Sequence, residues 1–231
     1  MGTTSNGQDI LADSVIRDIH SGMIVGLGTG LVSDRVTRAL AKRVAMSGLR
    51  IECVCTSAMT MTLARSLGLN VVSFADIEAI DYLYDGASEV DTELRMLKGH
   101  HGAITRQRLV AEVATRCVYL TSEDRYTSRL GSKALLSVTI IPFGIASIRA
   151  HLRNIGLSGV IRRTMEGQIF ETEGGGVVLD MTMPDREPAE LAGVLDGVSG
   201  VVDHGIFLHE ADEVVVECKT GEVKRLVRPE D

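Results

Sequence analysis

The sequence contains no run of lysine or arginine. Its 231 residues carry 31 acidic side chains against 24 basic ones, for a formal charge of −7 and a pI near 5.4. That balance excludes a nucleic acid or an anionic membrane as the default partner, because both are polyanions. No uninterrupted apolar stretch reaches the roughly 20 residues that a bilayer-spanning helix needs. Met1 to Gln8 is polar and lacks the apolar centre of a secretory leader. A cytoplasmic protein is therefore expected, with no membrane and no nucleic acid among its partners. Cysteine is scarce, at four residues, and Cys53, Cys55, Cys117 and Cys218 all lie inside apolar, strand-like runs. Cys53 and Cys55 would share one face of a strand, but a C-x-C without a second pair is a poor zinc signature. Buried free thiols are expected in preference to any metal or redox role. There is no internal repeat, low-complexity segment or long linker.

The length suits one large α/β domain, or a main domain carrying a smaller one, with enough core to need no disulfide or metal staple. Ile10, Leu11, Val15, Ile16 and Ile19 recur at helical steps and predict a first helix over Gln8 to His20. Met23 to Leu27 reads as a strand, followed by Gly28-Thr29-Gly30 and a helix through Val32, Val36, Leu40 and Val44. Ile51 to Cys55 is the next strand and Ala58 to Leu67 the next helix. Asn70 to Phe74 and Ile80 to Tyr84 read as two further strands. This alternation predicts an open, mostly parallel sheet with helices on both faces. From about Leu135 the order becomes β-α-β-β-α-β, the pattern of a small α+β, ferredoxin-like unit. The tail, Asp212 to Val227, reads as a hairpin turning at Lys219-Thr220-Gly221. The expected division is a main domain over 1–133, a small domain over 134–208, and returning strands over 209–231.

In an open parallel sheet, ligands gather where loops converge at the carboxyl ends of the strands. Four loops qualify: Gly28 to Ser33, Thr56 to Thr60, Asp85 to Asp91, and Lys98 to Gly102. The first brings backbone N–H groups to a helix N-terminus, although a strand-to-helix turn of this kind also forms without a ligand. Asp85 directly after a strand is the stronger signal, against the plainer reading of an aspartate that caps the next turn.

Together these loops resemble a known family. Gly26-Leu27-Gly28-Thr29-Gly30, Thr56-Ser57, Tyr84-Asp85-Gly86-Ala87, Leu97-Lys98-Gly99 and the segment from Gly200 to Phe207 follow the order and spacing of type A ribose-5-phosphate isomerases. The resemblance runs from about Gln8 to Leu226. It implies the family's α/β fold and an aldose–ketose isomerisation through a cis-enediolate, with no metal and no organic cofactor. A carboxylate base would move the proton between C2 and C1, a lysine and backbone amides would hold the oxyanion, and aspartates would handle hydroxyl protons. Assembly as a homodimer or homotetramer is implied as well.

Carried over position by position, the resemblance retains Asp85, Lys98 and Glu89, together with Gly28, Thr29, Gly30, Thr56, Ser57 and Gly99 as substrate-binding positions. Other positions depart from it. The second aspartate of the family's D-G-A-D-E is Ser88, which keeps a hydroxyl but not a charge. The general-base glutamate of an R-E-K triplet is Gln107, which has no useful basicity. His100 and His101 replace glycines, and an imidazole could act as a base, although plain loop residues are the favoured reading. Two adjacent histidines rarely hold a metal without further ligands.

At the phosphate end, Leu31 and Val32 replace hydroxyl residues and Gln8 replaces a lysine. Arg125 stands for the lysine of a D-x-S-K motif, with Glu123 and Asp124 beside it, and Glu173-Gly174-Gly175-Gly176 departs from a further loop motif. The implied function is a sugar or sugar-phosphate aldose–ketose isomerase with a changed substrate or mechanism and weak or absent ordinary ribose-5-phosphate activity. The alternative is an inactive homologue that binds a sugar or regulates a partner.

Overall fold

A computed structural model describes residues 9–229; the lysine-to-glutamine expectation at Gln8 lies outside them. In chain order the first elements are α1 (Ile10–Ile16), β1 (Ile24–Leu27), α2 (Leu31–Ser47), β2 (Glu52–Cys55), α3 (Ala58–Ser66) and β3 (Tyr82–Gly86). There follow β4 (Glu89–Asp91), β5 (Met96–Leu97), α4 (Ile104–Glu112), β6 (Cys117–Ser122), β7 (Tyr126–Thr127), β8 (Leu136–Ile140) and α5 (Ile145–Asn154). The last are β9 (Gly159–Ile161), β10 (Val177–Met181), α6 (Pro188–Asp196), β11 (Val201–His204), β12 (Ile206–Phe207), β13 (Glu213–Glu217) and β14 (Val223–Val227).

The chain divides into two compact units. Among the described residues, the first holds 9–87, 106–126 and 209–229, and the second holds 88–105 and 127–208. This differs from the expected division, because 88–105 and 127–133 count with the second unit. The cause is strand pairing: β4 pairs with β5, and β5 with β12, all inside that unit.

The first unit is a six-stranded sheet in the order β14-β13-β6-β3-β1-β2, parallel except for the edge strand β14. Strands of a parallel sheet are covered on both faces, which is why Tyr82, Leu83, Tyr84 and Asp85 of β3 are all buried. One face packs Val25, Leu27, Cys53, Tyr82 and Tyr84 against Leu11, Val15, Val36 and Leu40 of α1 and α2. Each such side chain contributes roughly 1.5–3 kcal/mol on burial. The spacing of Val36, Leu40 and Ala41 on α2 is the helical repeat that marked it in the sequence, and Gly48, at φ 66°, ends the helix by donating its N–H to Val44 O.

Three expectations need correction. The helix α1 stops at Ile16 because the Ile19 N–H bonds Ile16 O in a tighter turn; Ile19 is nonetheless fully buried. Asn70 to Phe74 is no strand. Only Val71 bridges Cys53, and Ser73 then turns the chain by accepting from Ala75 N–H at the start of a 3-10 turn. The strand expected over Ile80 to Tyr84 runs two residues later, so Asp85 lies inside β3, opposite Tyr119, and not after it.

The second unit contains the anticipated β-α-β-β-α-β order as β8-α5-β9-β10-α6-β11. Its antiparallel sheet has the order β11-β8-β10-β9, which is the split-βαβ arrangement. Leu136, Val138 and Ile140 of β8 alternate into a core with Ile148 and Leu152 of α5 and Leu191 and Leu195 of α6. A smaller sheet, β12-β5-β4-β7, carries Met96 and Leu97, the residues just before Lys98.

Candidate active site

In the first unit, the ends of β1 and β3 meet at Gly28 and Asp85. A side chain at Gly28 would place its Cβ 2.3 Å from Asp85 Oδ1, so only glycine lets the two strands approach. Asp85 is fully buried. Its Oδ1 accepts from Gly86 N–H at 2.7 Å, Thr29 N–H at 3.0 Å and, more weakly, the Ser33 hydroxyl at 3.4 Å. Its Oδ2 accepts from Gln107 Nε2 at 2.7 Å, reached from α4, and Gln107 is itself only 5% exposed. A carboxylate offers acceptors only, so the amide must present its NH2 end there.

Beside this carboxylate lies a cluster of buried hydroxyls. Thr29 Oγ1 is 2.7 Å from Thr56 Oγ1, 2.8 Å from Ser57 Oγ and 3.3 Å from Thr60 Oγ1. Thr60 Oγ1 also donates to Gly28 O at 3.0 Å, and Ser57 caps α3 by accepting from Thr60 N–H at 3.1 Å. The structure therefore brings together Gly28, Thr29, Thr56, Ser57, Asp85 and Gln107, with Gly30 as N-cap of α2. The sequence reading placed Ser33 and Thr60 at the ends of two candidate loops but gave neither a role. Thr60 had a legible signal, the Ser-x-x-Thr spacing at a helix start. Arg125 ends an exposed 3-10 turn after β6, the strand next to β3.

The second unit carries the remaining candidates. Lys98 is 2% exposed, its N–H bonds Gly205 O at 2.8 Å, and its ammonium lies 5.6 Å from the centre of the Phe207 ring. Gly99, at φ 109°, starts the loop that holds His100 and His101, whose exposed rings meet edge to face at 4.9 Å. Among the described residues no three His, Cys, Asp or Glu side chains gather as metal ligands would.

Arg162, which no motif pointed to, pins this loop. Its Nη1 donates to Gly99 O at 2.8 Å and His100 O at 2.9 Å, while Asp180 and Ser137 hold the rest of the guanidinium. Burial by itself would raise the Asp180 pKa, but Arg162 and the Ser137 hydroxyl hold it below its ordinary value. Ser88 is half-buried and its N–H bonds Leu97 O. The neighbouring Glu89 is fully buried and binds the 127–134 segment through Thr127, Gly131, Ser132, Lys133 and Ala134.

An open sheet whose strand-end loops gather a buried carboxylate, an amide and a cluster of hydroxyls belongs to the α/β proteins that hold small polar molecules at the carboxyl edge of the sheet. A family model described as ribose 5-phosphate isomerase A (phosphoriboisomerase A) matches residues 52–221. Ribose-5-phosphate isomerase A of Listeria innocua serovar 6a is 34% identical over 224 residues, covering 95% of this chain and 97% of that protein. The solved ribose 5-phosphate isomerase A of Methanocaldococcus jannaschii superposes with a TM-score of 0.88 at 29% identity, over 94% of this chain and 96% of its own. A D-ribose-5-phosphate isomerase solved in complex with phospho-erythronic acid gives a TM-score of 0.90 at 27% identity, over 95% and 97%. The chain belongs to the ribose-5-phosphate isomerase A family.

Among the described residues no helix is long and apolar enough to cross a membrane.

Proposed function

We propose that this protein is an aldose–ketose isomerase for a sugar or sugar phosphate in which position 107 no longer moves the proton. One observation carries the reading: the Gln107 amide donates to the Asp85 carboxylate at 2.7 Å. The family resemblance puts a general-base glutamate at that position, and an amide cannot accept the C2 proton. What it can do is orient Asp85, the one carboxylate in the buried cluster. In this reading Asp85 is the acid–base group, the family resemblance assigns the developing enediolate charge to Lys98, and the Thr29, Thr56 and Ser57 hydroxyls bind the polyol chain.

Loss of a positioned base costs about 10²–10⁴-fold, so ordinary ribose 5-phosphate should turn over at a small fraction of the family's rate. A better substrate would suit the altered loop, where Leu31 is 83% exposed and Val32 replaces a hydroxyl. The phospho-erythronic acid bound by a solved relative supports a phosphorylated polyhydroxy ligand as the starting point.

The same amide favours a second reading, a sugar-binding protein without catalysis, because it occupies the Asp85 oxygen that a substrate would otherwise use. Solvent proton exchange into phosphorylated and free pentoses, tetroses and deoxy sugars separates the two. The isomerase reading expects exchange into at least one of them, lost by 100-fold or more in Asp85→Asn and Lys98→Ala. Exchange that survives both substitutions would sink it. A thermal shift with a sugar that never exchanges would establish the binder. We also propose assembly as a homodimer or homotetramer, to be checked by light scattering.

A further inference from the structure

Arg162 directly follows β9 and commits every N–H of its guanidinium inside the second unit. Nε donates to Asp180 Oδ2 at 2.7 Å, and Nη2 donates to Asp180 Oδ1 and to Ser137 Oγ. Nη1 donates to Gly99 O at 2.8 Å and to His100 O at 2.9 Å. A guanidinium has five donors and no acceptor, so none remains for a ligand. Ser137 Oγ donates in turn to Asp180 Oδ1 at 2.8 Å, which closes the cluster. At 15% and 18% exposure, the Arg162 and Asp180 side chains form this pair largely out of water.

A pair that served the sheet alone would be complete with Asp180 of β10 and its cross-strand neighbour Ser137 of β8. Arg162 instead directs Nη1 to consecutive carbonyls of the loop after Lys98, 63 and 62 positions earlier in the chain. In a trans peptide the C=O and N–H of one unit point in opposite directions. Holding both carbonyls therefore also fixes where the His100 and His101 N–H groups point. Separate contacts hold the same loop. Gly102 N–H donates to Gly99 O at 3.0 Å, and the Phe170 ring fills the space where a Cβ on Gly102 would stand, 2.4 Å from its Cε1. On the other side, Lys98 N–H donates to Gly205 O and Gly205 N–H to Ser137 O, both at 2.8 Å. Ser137 thus anchors Lys98 through its carbonyl and the following loop through its hydroxyl.

We propose that Arg162 is a positioning residue for the Lys98–His101 loop. It touches no ligand itself; it fixes the peptide units that follow Lys98, so that the lysine and the loop N–H groups meet a ligand in one geometry. Lysine at 162 could pair with Asp180 as a point charge, but it has no planar fork to reach Asp180, Ser137 and two carbonyls at once. Misplacement of a reacting group by about 1 Å can cost about 100-fold in rate, so a loosened loop should cost turnover before it costs stability. The consequence for turnover rests on the isomerase reading, whereas the hold on the loop does not.

The test uses Arg162→Lys, which keeps a charge beside Asp180, and Arg162→Gln with Asp180→Asn, which removes the pair without stranding a buried carboxylate. Hydrogen exchange of the Gly102 amide, whose acceptor is Gly99 O, should quicken about 10-fold or more in both variants, while the Leu152 amide in α5 keeps the parent rate. In solvent proton exchange with a sugar that the parent accepts, kcat should fall about 10-fold or more and KM should stay within about 3-fold. A Gly102 amide as slow as the parent's in both variants would overturn the proposal. So would full turnover by a variant whose loop has loosened, since the contacts would then be structural alone. If the parent exchanges no sugar, the isomerase reading falls instead, and the Gly102 amide still decides whether Arg162 holds the loop.

Discussion

Replacing Gln107 with glutamate should make the stability of this protein fall as pH rises, and the size of the fall can be worked from one contact. Gln107 Nε2 lies 2.7 Å from Asp85 Oδ2, and neither side chain reaches solvent to any extent. In Gln107→Glu two carboxyl groups occupy those positions. At an effective dielectric near 20, two unit charges that close repel by about 6 kcal/mol. The pair would therefore keep one proton well above the ordinary carboxyl range, with an upward shift of about 3 units once relaxation is allowed for.

The sign follows from linkage. Below the unfolded value of about 4.3 both states are protonated, the shared proton restores a hydrogen bond to Asp85, and the variant approaches the parent. Above that value the unfolded chain releases the proton first, and the folded state loses stability until the raised value, near 7, is passed. The deficit relative to the parent should widen from about 1 kcal/mol at pH 5 to about 4 kcal/mol at pH 8. Urea unfolding of both proteins at the two pH values measures it. A deficit that is the same at both, or a variant more stable at pH 8, would refute the assigned contact.

Three further outcomes follow from the same kind of reasoning. Glu89 Oε1 accepts from Thr127 and from the hydroxyl and N–H of Ser132, and Oε2 accepts from the N–H groups of Gly131, Lys133 and Ala134. With its NH2 at Oε2 the amide of Glu89→Gln faces three backbone N–H donors, and at Oε1 it faces the Ser132 N–H and two hydroxyls able to turn and accept. Urea unfolding should therefore show a loss of roughly 1–3 kcal/mol, and an unchanged stability would contradict the contacts. Although burial alone would raise the pKa of Glu89, the Ser132 hydroxyl and the Ala134 and Lys133 N–H groups hold it below its ordinary value. Its contribution is thus present above that ordinary value and disappears as pH falls through the lowered one. Gly28→Ala drives a methyl to 2.4 Å from Asp85 Cγ and 2.5 Å from its Cα, and a lower melting temperature by the equivalent of about 1–3 kcal/mol is expected. Cys53, fully buried and pushed up to about 12 by that burial, should resist a thiol reagent at pH 8 until denaturant is added; its labelling in the native state would show an opening that the packing does not contain.

The elements that alternate apolar patterning with glycine turns were legible in the sequence, because burial and chain reversal leave marks at single positions. The α2 stripe from Val36 to Leu40 and the loop Gly28-Thr29-Gly30 are examples. What the sequence concealed depends on partners far apart in the chain. Residues 88–105 looked continuous with the main domain, since nothing local shows that Leu97 pairs with Ile206. Arg162 was invisible for the same reason: its task is to hold the carbonyls of Gly99 and His100, more than 60 positions earlier. Asn70 to Phe74 misled because its apolar residues match a strand, while the Ser73 side chain captures the backbone group that a ladder would have needed.

The Gln107 contact also bears on how the altered site should be understood. A buried carboxylate is worth keeping only if its acceptors are filled, and removing one donor from such a group typically costs 1–3 kcal/mol. Asp85 draws its donors from three separate stretches, the turn after β1 with the first turn of α2, its own strand end, and α4. Glutamine at 107 completes that set, whereas a second carboxylate would require a shared proton. Where the family resemblance implies a base, glutamine instead supplies a donor to the buried Asp85. On the proposed isomerase reading, a substrate hydroxyl must compete with the Gln107 amide for Asp85 Oδ2.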